Sequence, residues 1–530
     1  MTPKPALLLY GATLYDFEHA AVPDAAVLVR DGRIAWMGPE KELPRALAAG
    51  ADPVDLRGAA LLPGLCDCHV HLGLAAQSCE ELELQGVTDR KDLLGQVRRA
   101  TRGLSPGEWL TGFGWERETV FADGLPQVNE LDFTSPAHPI FLASRDGHAA
   151  WLNGRALAAV DACGGPPRGC LLHEGEEGRS GLCFEQVFEL RRSIVPPLSS
   201  QRLGAALVRV MADLNRQGVV AVHANEGLET YYACRELVAA GRSRVRTLWY
   251  FCFRDLEDYL AHKDALAEPG TPWLAPFGVK LFLDGSFGSR TAALSKPYTD
   301  GLSGTGVLAM SVEELAAWLR RLEMDGVPVA VHSIGDRATD LLLNEFATLG
   351  PLKPLMRRIE HLQLLSEAAV EGPSFEGLLC SMQPQHLFGD RALMRHNLPP
   401  ELYDRRSYPL ATVLRKGGTL LLGSDLPIVP CEVLRGLDAA VGRCAGDGEE
   451  AWDPSEAVTL EQALLGHTLN PWRVHGRCFD SGRLRVGGCA DLAAFLPDPF
   501  LMLHEGPRRL ASDVRPVLTV LDGEVVHDAR

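Results

Sequence analysis

The chain has 530 residues, 46% hydrophobic and 23% charged, which is the balance of an ordinary globular protein and excludes a disordered chain, a collagen-like repeat and a coiled coil. At roughly 100–200 residues per domain, this length suits about three domains or one large barrel with additions. Lysine and arginine number 52 against 69 acidic residues, a net charge of −17, which repels phosphate backbones and anionic lipid, so neither nucleic acid nor membrane is an expected partner.

At the start of the chain, Met1-Thr2-Pro3-Lys4-Pro5 leads into a short apolar run that Tyr10-Gly11 interrupts. No secretory signal is expected there, and no segment reaches the ~18 uninterrupted apolar residues of a membrane span. The thirteen cysteines are odd in number and contain no Cys-x-x-Cys pair, so they read as reduced thiols of a cytoplasmic protein. Residues 6–38 show short alternating strands that turn at Asp31-Gly32, and residues 515–527 repeat the pattern around Asp522-Gly523. Asp-Gly between apolar runs is a hairpin signal because both positions tolerate positive φ. Neither end has enough strands to bury a face alone. Residues 1–60 and 475–530 are therefore expected to form one composite β-sandwich domain.

Strands and helices alternate between those ends. Apolar runs at 61–72, 218–224, 244–251, 278–284, 327–332, 357–361, 378–383 and 419–425 give eight candidate strands. Ser311 with Glu314 predicts a capping box, and Val312, Leu315, Ala316, Leu319 and Leu322 follow at helical spacing. Arg202 to Gln217 predicts another helix, ended by Gly218. The predicted class is α/β, a TIM-like (β/α)8 barrel over residues 61–474 with its active site at the C-terminal strand ends. A doubly wound sheet is the competing architecture. Residues 73–217 separate the first two strands by far more than one helix needs, so an inserted, substrate-covering subdomain is expected there.

Polar residues cluster where these strands end. The first closes on Asp67-Cys68-His69-Val70-His71; His69 and His71, two apart, share a face and suit one metal ion. In the fourth, Lys280 and Asp284 point where apolar barrel residues are expected; a buried charge pair would give the same pattern. The fifth ends at His332, the sixth at Glu360-His361, and the eighth at Gly423-Ser424-Asp425 before Pro427. A single histidine of this kind is more often a satisfied core residue. Histidines ending three strands, joined by a lysine and an aspartate on two others, make a joint pattern that favours metal.

These residues resemble the metal-dependent amidohydrolase superfamily, and its YtcJ-like branch in particular. The motifs are Pro63-Gly64-Leu65-Cys66-Asp67-Cys68-His69-Val70-His71, the run from Lys280 through Asp284-Gly285-Ser286 to Arg290-Thr291-Ala292, His332-Ser333-Ile334-Gly335-Asp336, Ile359-Glu360-His361 and Gly423-Ser424-Asp425. Within the insertion, Ser144-Arg145-Asp146-Gly147-His148 is similar to that branch's substrate-side motif. The resemblance implies His69 and His71 on the more buried metal and His332 and His361 on the more exposed one. It also implies a carboxylated, bridging Lys280, with Asp425 as metal ligand and general base. One or two divalent ions are implied, zinc being the expected one. Asp146, His148, Trp115, His223, Asp284 and Arg290 are the candidate substrate contacts. Trp115 has simple packing as its competing role, and His148 a plain surface position. The Ala224-Asn225 that follows His223 departs from the branch's pattern and puts that loop's substrate contacts in question.

The implied reaction is hydrolysis of a C–N bond other than a peptide bond, in the amide of a small N-substituted molecule. A metal-activated hydroxide would attack while Asp425 moves the proton. Two alternatives stay open: a deaminase of a ring amidine on the same fold, and a metal-retaining protein without catalysis. A small-molecule substrate is the expected partner, with a homodimer left open.

Overall fold

The computed structural model describes residues 6–530 except 123, 176–177, 268–270, 302, 351–355, 373, 404–405, 445–449 and 505–508. Eight parallel strands, Leu65–Val70, Val219–Glu226, Arg246–Cys252, Leu274–Phe282, Val329–Ser333, Arg357–His361, Leu379–Met382 and Thr419–Leu422, lie side by side in chain order. Each falls within or overlaps one of the predicted apolar runs. Beyond the last strand, His71 N–H donates to Leu426 O at 2.8 Å and Asp425 N–H to His69 O at 2.8 Å, which ties the eighth strand back to the first. The doubly wound alternative has no such closure. Helices cover the outside because their apolar stripes fit it: Leu203, Ala206, Leu207, Val210, Met211 and Leu214 of Ser200–Arg216 are all buried in the layer between helices and barrel. Ser311 Oγ accepts from Glu314 N–H at 3.1 Å, which is one half of the predicted capping box.

The two chain ends form one eight-stranded sheet, where a sandwich would have two. Ala60–Pro63 joins the halves: it runs parallel to Leu7–Leu14 and antiparallel to Leu492–Leu496. Both predicted hairpins are present, with φ of +51° and +77° at Asp31-Gly32 and +51° and +78° at Asp522-Gly523. Their tips meet. A Cβ on Gly523 would lie 2.6 Å from Gly32 Cα, so only glycine permits the approach. The sheet curls around its own core, in which Leu9, Val27 and Val29 pack with Leu492, Val517 and Val520. That curl gives one sheet two inner faces and removes the need for a second.

The long insert is narrower than residues 73–217. Its six-stranded sheet spans Leu82 to Phe184, in the order Leu171–Gly175, Gly178–Phe184, Ala149–Leu152, Ile140–Ser144, Leu110–Trp115 and Leu82–Glu83. The final helix, Ser200–Arg216, belongs to the barrel because its apolar stripe is buried there. Among the described residues, no helix is long and apolar enough to cross a membrane.

Candidate metal centre

The C-terminal ends of the barrel strands open into a cavity of about 1490 Å³ whose walls include the insertion and whose floor includes His71, Lys280, His332, His361 and Asp425. Close strand approach builds that floor. A Cβ on Gly423 would sit 2.6 Å from His69 N and 2.7 Å from Asp67 Oδ1, so glycine lets the eighth strand press against the first. Asp67 then accepts from His69 N–H at 3.2 Å, Ser424 N–H at 2.9 Å and Ser424 Oγ at 2.5 Å. The chain leaves the barrel through two left-handed residues, His361 at φ +73° and Asp425 at φ +67°. Non-glycine residues held there concentrate at functional sites, and aspartate tolerates that conformation better than most.

His69, His361 and Asp425 offer ligand atoms that all lie within 4.8 Å of one another. Asp425 Oδ1 is 3.3 Å from His69 Nε2 and 3.2 Å from His71 Nε2. The His332 ring lies 4.5 Å from that of His361, centroid to centroid. Three of the histidines have one nitrogen already engaged. His69 Nδ1 meets Glu360 Oε2 at 2.6 Å, His71 Nδ1 meets Asn225 O at 2.9 Å, and His361 Nδ1 meets Gln383 Oε1 at 2.8 Å. A proton held on Nδ1 by an acceptor leaves Nε2 as a bare lone pair, the usual arrangement in metal-binding imidazoles. His332 differs, with Nε2 facing Gly285 O at 3.1 Å.

Electrostatics point the same way. Burial, then the neighbouring Lys280, pushes His69 down to about 4, and burial takes His332 and His361 well below the ordinary imidazole range. Neutral imidazoles are the form that binds metal. Burial alone would raise Asp425, but His69, His71 and His386 hold it below the usual carboxylate range, so it is an anion. Lys280 Nζ is wholly buried, and burial pulls its pKa down. His69 Nε2, Asp425 Oδ1 and Lys280 Nζ are buried polar atoms with no hydrogen-bond partner among the described residues. Such atoms are costly unless something satisfies them, and a divalent cation beside two of these atoms fits the donor set of imidazole nitrogen and carboxylate oxygen.

The other predicted residues divide. Asp146 and His148 line the cavity and join the insertion to the barrel. Asp146 accepts from Ser144 at 2.5 Å, and from Ser286 and Ser289 of the loop after the fourth strand at 2.7 and 2.6 Å. His148 Nδ1 meets Glu185 at 3.0 Å, and its ring lies 5.9 Å from that of His332. Burial would lower His148, but Glu185 and Asp146 push it up to about 9. Arg290 also lines the cavity and pairs with Asp300 at 2.8 Å. Asp284 reaches the wall, yet its carboxylate accepts from three backbone amides, Ala293 at 2.9 Å, Ile334 at 3.0 Å and Gly335 at 2.8 Å, and so pins two loops. Trp115 borders the cavity from the insertion's core, with Nε1 donating to Leu142 O at 2.8 Å. His223 does not reach the cavity. Both its nitrogens are engaged below the floor, with Arg358 at 3.0 Å and His475 at 3.0 Å.

Glu360, Gln383 and Glu185 also belong to the site, as partners of His69, His361 and His148. Glu360 carried a signal: Arg358 and Glu360 lie two apart on the inward face of the sixth strand, where apolar side chains are the norm. Gln383 and Glu185 carried none.

A protein with this barrel, this ring of strand-end donors and this sheet of chain termini is a metal-site hydrolase by architecture. The amidohydrolase family model matches residues 52–527, and the chain belongs to that family and is an amidohydrolase. It is 25% identical to the putative amidohydrolase YtcJ of Bacillus subtilis, covering 98% of this chain and 99% of that one. It is 24% identical to the N-substituted formamide deformylase of Arthrobacter pascens, covering 94% and 95%. Among solved structures, an uncharacterized metal-dependent hydrolase from Pyrococcus horikoshii OT3 superposes with a TM-score of 0.71 at 25% identity, over 92% of this chain and 97% of that one. The likeness to the YtcJ-like branch read from the motifs is thereby borne out.

Proposed function

We propose that the chain hydrolyses the amide C–N bond of a small, uncharged N-substituted molecule. The observation that carries this reading is the convergence beneath one cavity of three buried polar atoms, His69 Nε2, Asp425 Oδ1 and Lys280 Nζ, with Asp425 Oδ1 3.2–3.3 Å from the Nε2 atoms of His71 and His69. His69, His71, His332, His361 and Asp425 would hold one or two divalent ions, zinc being the best match to imidazole and carboxylate donors. A divalent ion there supplies Lewis-acid polarisation of a carbonyl and acidifies water near neutral pH.

The chain's own residues do the rest. Asp425, ionised and at the barrel mouth, takes the proton from the attacking water and passes it to the departing nitrogen. His148, cationic beside Glu185, faces His332 and donates a hydrogen bond to the reacting carbonyl. Burial pulls the Lys280 pKa down, and the neutral form of its amine adds carbon dioxide with loss of one proton, leaving a carbamate anion in place of a buried amine. The insertion roofs the cavity and excludes water.

Substrate charge follows from the walls. Phe121, Phe188, Phe253, Phe282, Phe287 and Ile428 face the cavity. At least five of the seven arginines on its wall pair with carboxylates: Arg145 with Glu116 at 2.5 Å, Arg254 with Glu189 at 2.5 Å, Arg290 with Asp300, Arg191 with Glu81, and Arg192 with Glu229 at 4.0 Å. A charged substituent would find most of this arginine charge already paired, and an apolar one finds rings. The test is a panel of N-formyl and N-acyl amides with matched neutral and carboxylate-bearing substituents. Neutral members should have the higher kcat/KM; preference for the carboxylates would refute the substrate class, and no turnover of any amide would refute the reaction.

A further inference from the structure

A hydrogen-bonded chain of buried side chains runs down the barrel interior from His69 to a helix outside it. Glu360, the acceptor for His69 Nδ1, is itself clamped by Arg358, with Nε 2.5 Å from Oε1 and Nη2 3.2 Å from Oε2. Arg358 also donates to Ser381 Oγ at 2.9 Å and to Cys68 O, and its Nη1 lies 3.0 Å from His223 Nδ1. His223 Nε2 is 3.0 Å from His475 Nδ1, and His475 Nε2 is 2.9 Å from Ser481 O. His69, His223, Glu360 and His475 are all 0% exposed. His475 ends the helix Leu469–His475, in the segment that returns from the barrel to the terminal sheet.

The proton positions follow from elimination. A guanidinium has donors only, so His223 Nδ1 must be a bare acceptor and its hydrogen sits on Nε2. That hydrogen points at His475 Nδ1, which must also be bare, so His475 carries its hydrogen on Nε2 and donates to Ser481 O. One direction of donation serves both imidazoles, and both are neutral. Cys66, His223 and His475 together are compact enough for a cation, but neither imidazole keeps a free lone pair, and Arg358 brings a positive charge to the spot. A relay fits these atoms and a second metal does not.

We infer that His475 and His223 are positioning residues for the metal centre: through Arg358 and Glu360 they fix the orientation and tautomer of His69. The inference rests on the reading of His69 as a metal ligand. It makes the helix Leu469–His475 part of the site's support, although that helix touches nothing in the cavity. Partners of this kind hold a ligand's ring angle and basicity, and losing one typically weakens metal binding by ~10–100-fold.

The experiment has two measurements. In wild-type protein with ¹⁵N-labelled histidine, stripped of metal by chelation, long-range ¹H–¹⁵N spectra should show His223 and His475 neutral with hydrogen on Nε2, and His69 with hydrogen on Nδ1. A protonated His475, or one with hydrogen on Nδ1, would overturn the relay. Zinc affinity is then measured by competition with a chelator in His475→Leu and His475→Gln, beside their melting temperatures. The Leu variant should bind zinc about 10–100-fold more weakly, while Gln, whose amide can accept from His223 and donate to Ser481, stays near wild type. A folded Leu variant with wild-type affinity would overturn the inference, as would a Gln variant as weak as Leu, or loss of one zinc in Cys66→Ala. If the Leu variant fails to fold, the wild-type tautomers decide. A wild-type chain that binds no zinc would refute the metal reading, with the tautomers still testing the relay.

Discussion

Asp425 is held from both sides of its Cα. Its N–H bonds His69 O, its carbonyl accepts from Ile428 N–H at 2.8 Å, and its left-handed φ turns the carboxylate toward the histidines. Asp425→Asn keeps this geometry and an oxygen ligand but removes the basic lone pair. Base catalysis contributes ~10²–10⁴-fold, so kcat should fall by about that factor while most metal stays bound; normal turnover would assign the proton transfer to another group. His148 tests the insertion's part. Losing one charge-assisted hydrogen bond is worth ~1.5–3 kcal/mol, so His148→Ala should lower kcat/KM about 10- to 100-fold. Unchanged kcat and KM across several amides would make His148 a structural partner of Glu185 only. The strand-end residues were legible in the sequence because each ends an apolar run, and the chain's chemistry changes where the barrel opens. Depth was not legible. His223 also stands near the end of its run, yet the second strand continues through Asn225 to Glu226, and those further residues place it a layer below the floor.

Elements were read more reliably than their boundaries. Eight apolar runs gave eight strands because buried parallel strands need apolar residues on both faces. The insert's upper boundary at residue 217 rested on strand spacing, which does not tell a covering subdomain from a barrel helix. The apolar stripe of Ser200–Arg216 does, and it was visible. The terminal sheet was legible through its two Asp-Gly turns, whereas its single curled form depends on the tips of those hairpins touching, a contact between residues almost 500 positions apart. A buried arginine helps fasten barrel and sheet. Arg246, at the start of the third strand, meets Asp491 at 2.7 Å and Asp522 at 3.1 Å, and donates to Pro272 O at 2.9 Å. Removing one partner of a buried pair costs ~3–5 kcal/mol. Arg246→Met should therefore lower the denaturant midpoint sharply while leaving the metal affinity of the folded protein unchanged. An unchanged midpoint would show that this ion pair does not hold the two units together.

At the scale of the whole molecule, the barrel brings six donors from five strands to one floor, the insertion closes the space above, and the curled terminal sheet supports the barrel from outside the cavity. None of these parts makes a site alone: Lys280, His332, His361 and Asp425 are separated by 29 to 145 residues in the chain and meet only because the eighth strand returns to the first. The central claim is that a divalent metal at His69, His71, His332, His361 and Asp425 is required for amide hydrolysis. Its most direct test is turnover of a neutral N-formyl amide by protein purified with its metal, then stripped with a chelator, then reloaded with zinc. The account predicts metal in the purified protein, loss of turnover on stripping and recovery on reloading. Full activity in protein shown to be free of metal would contradict it.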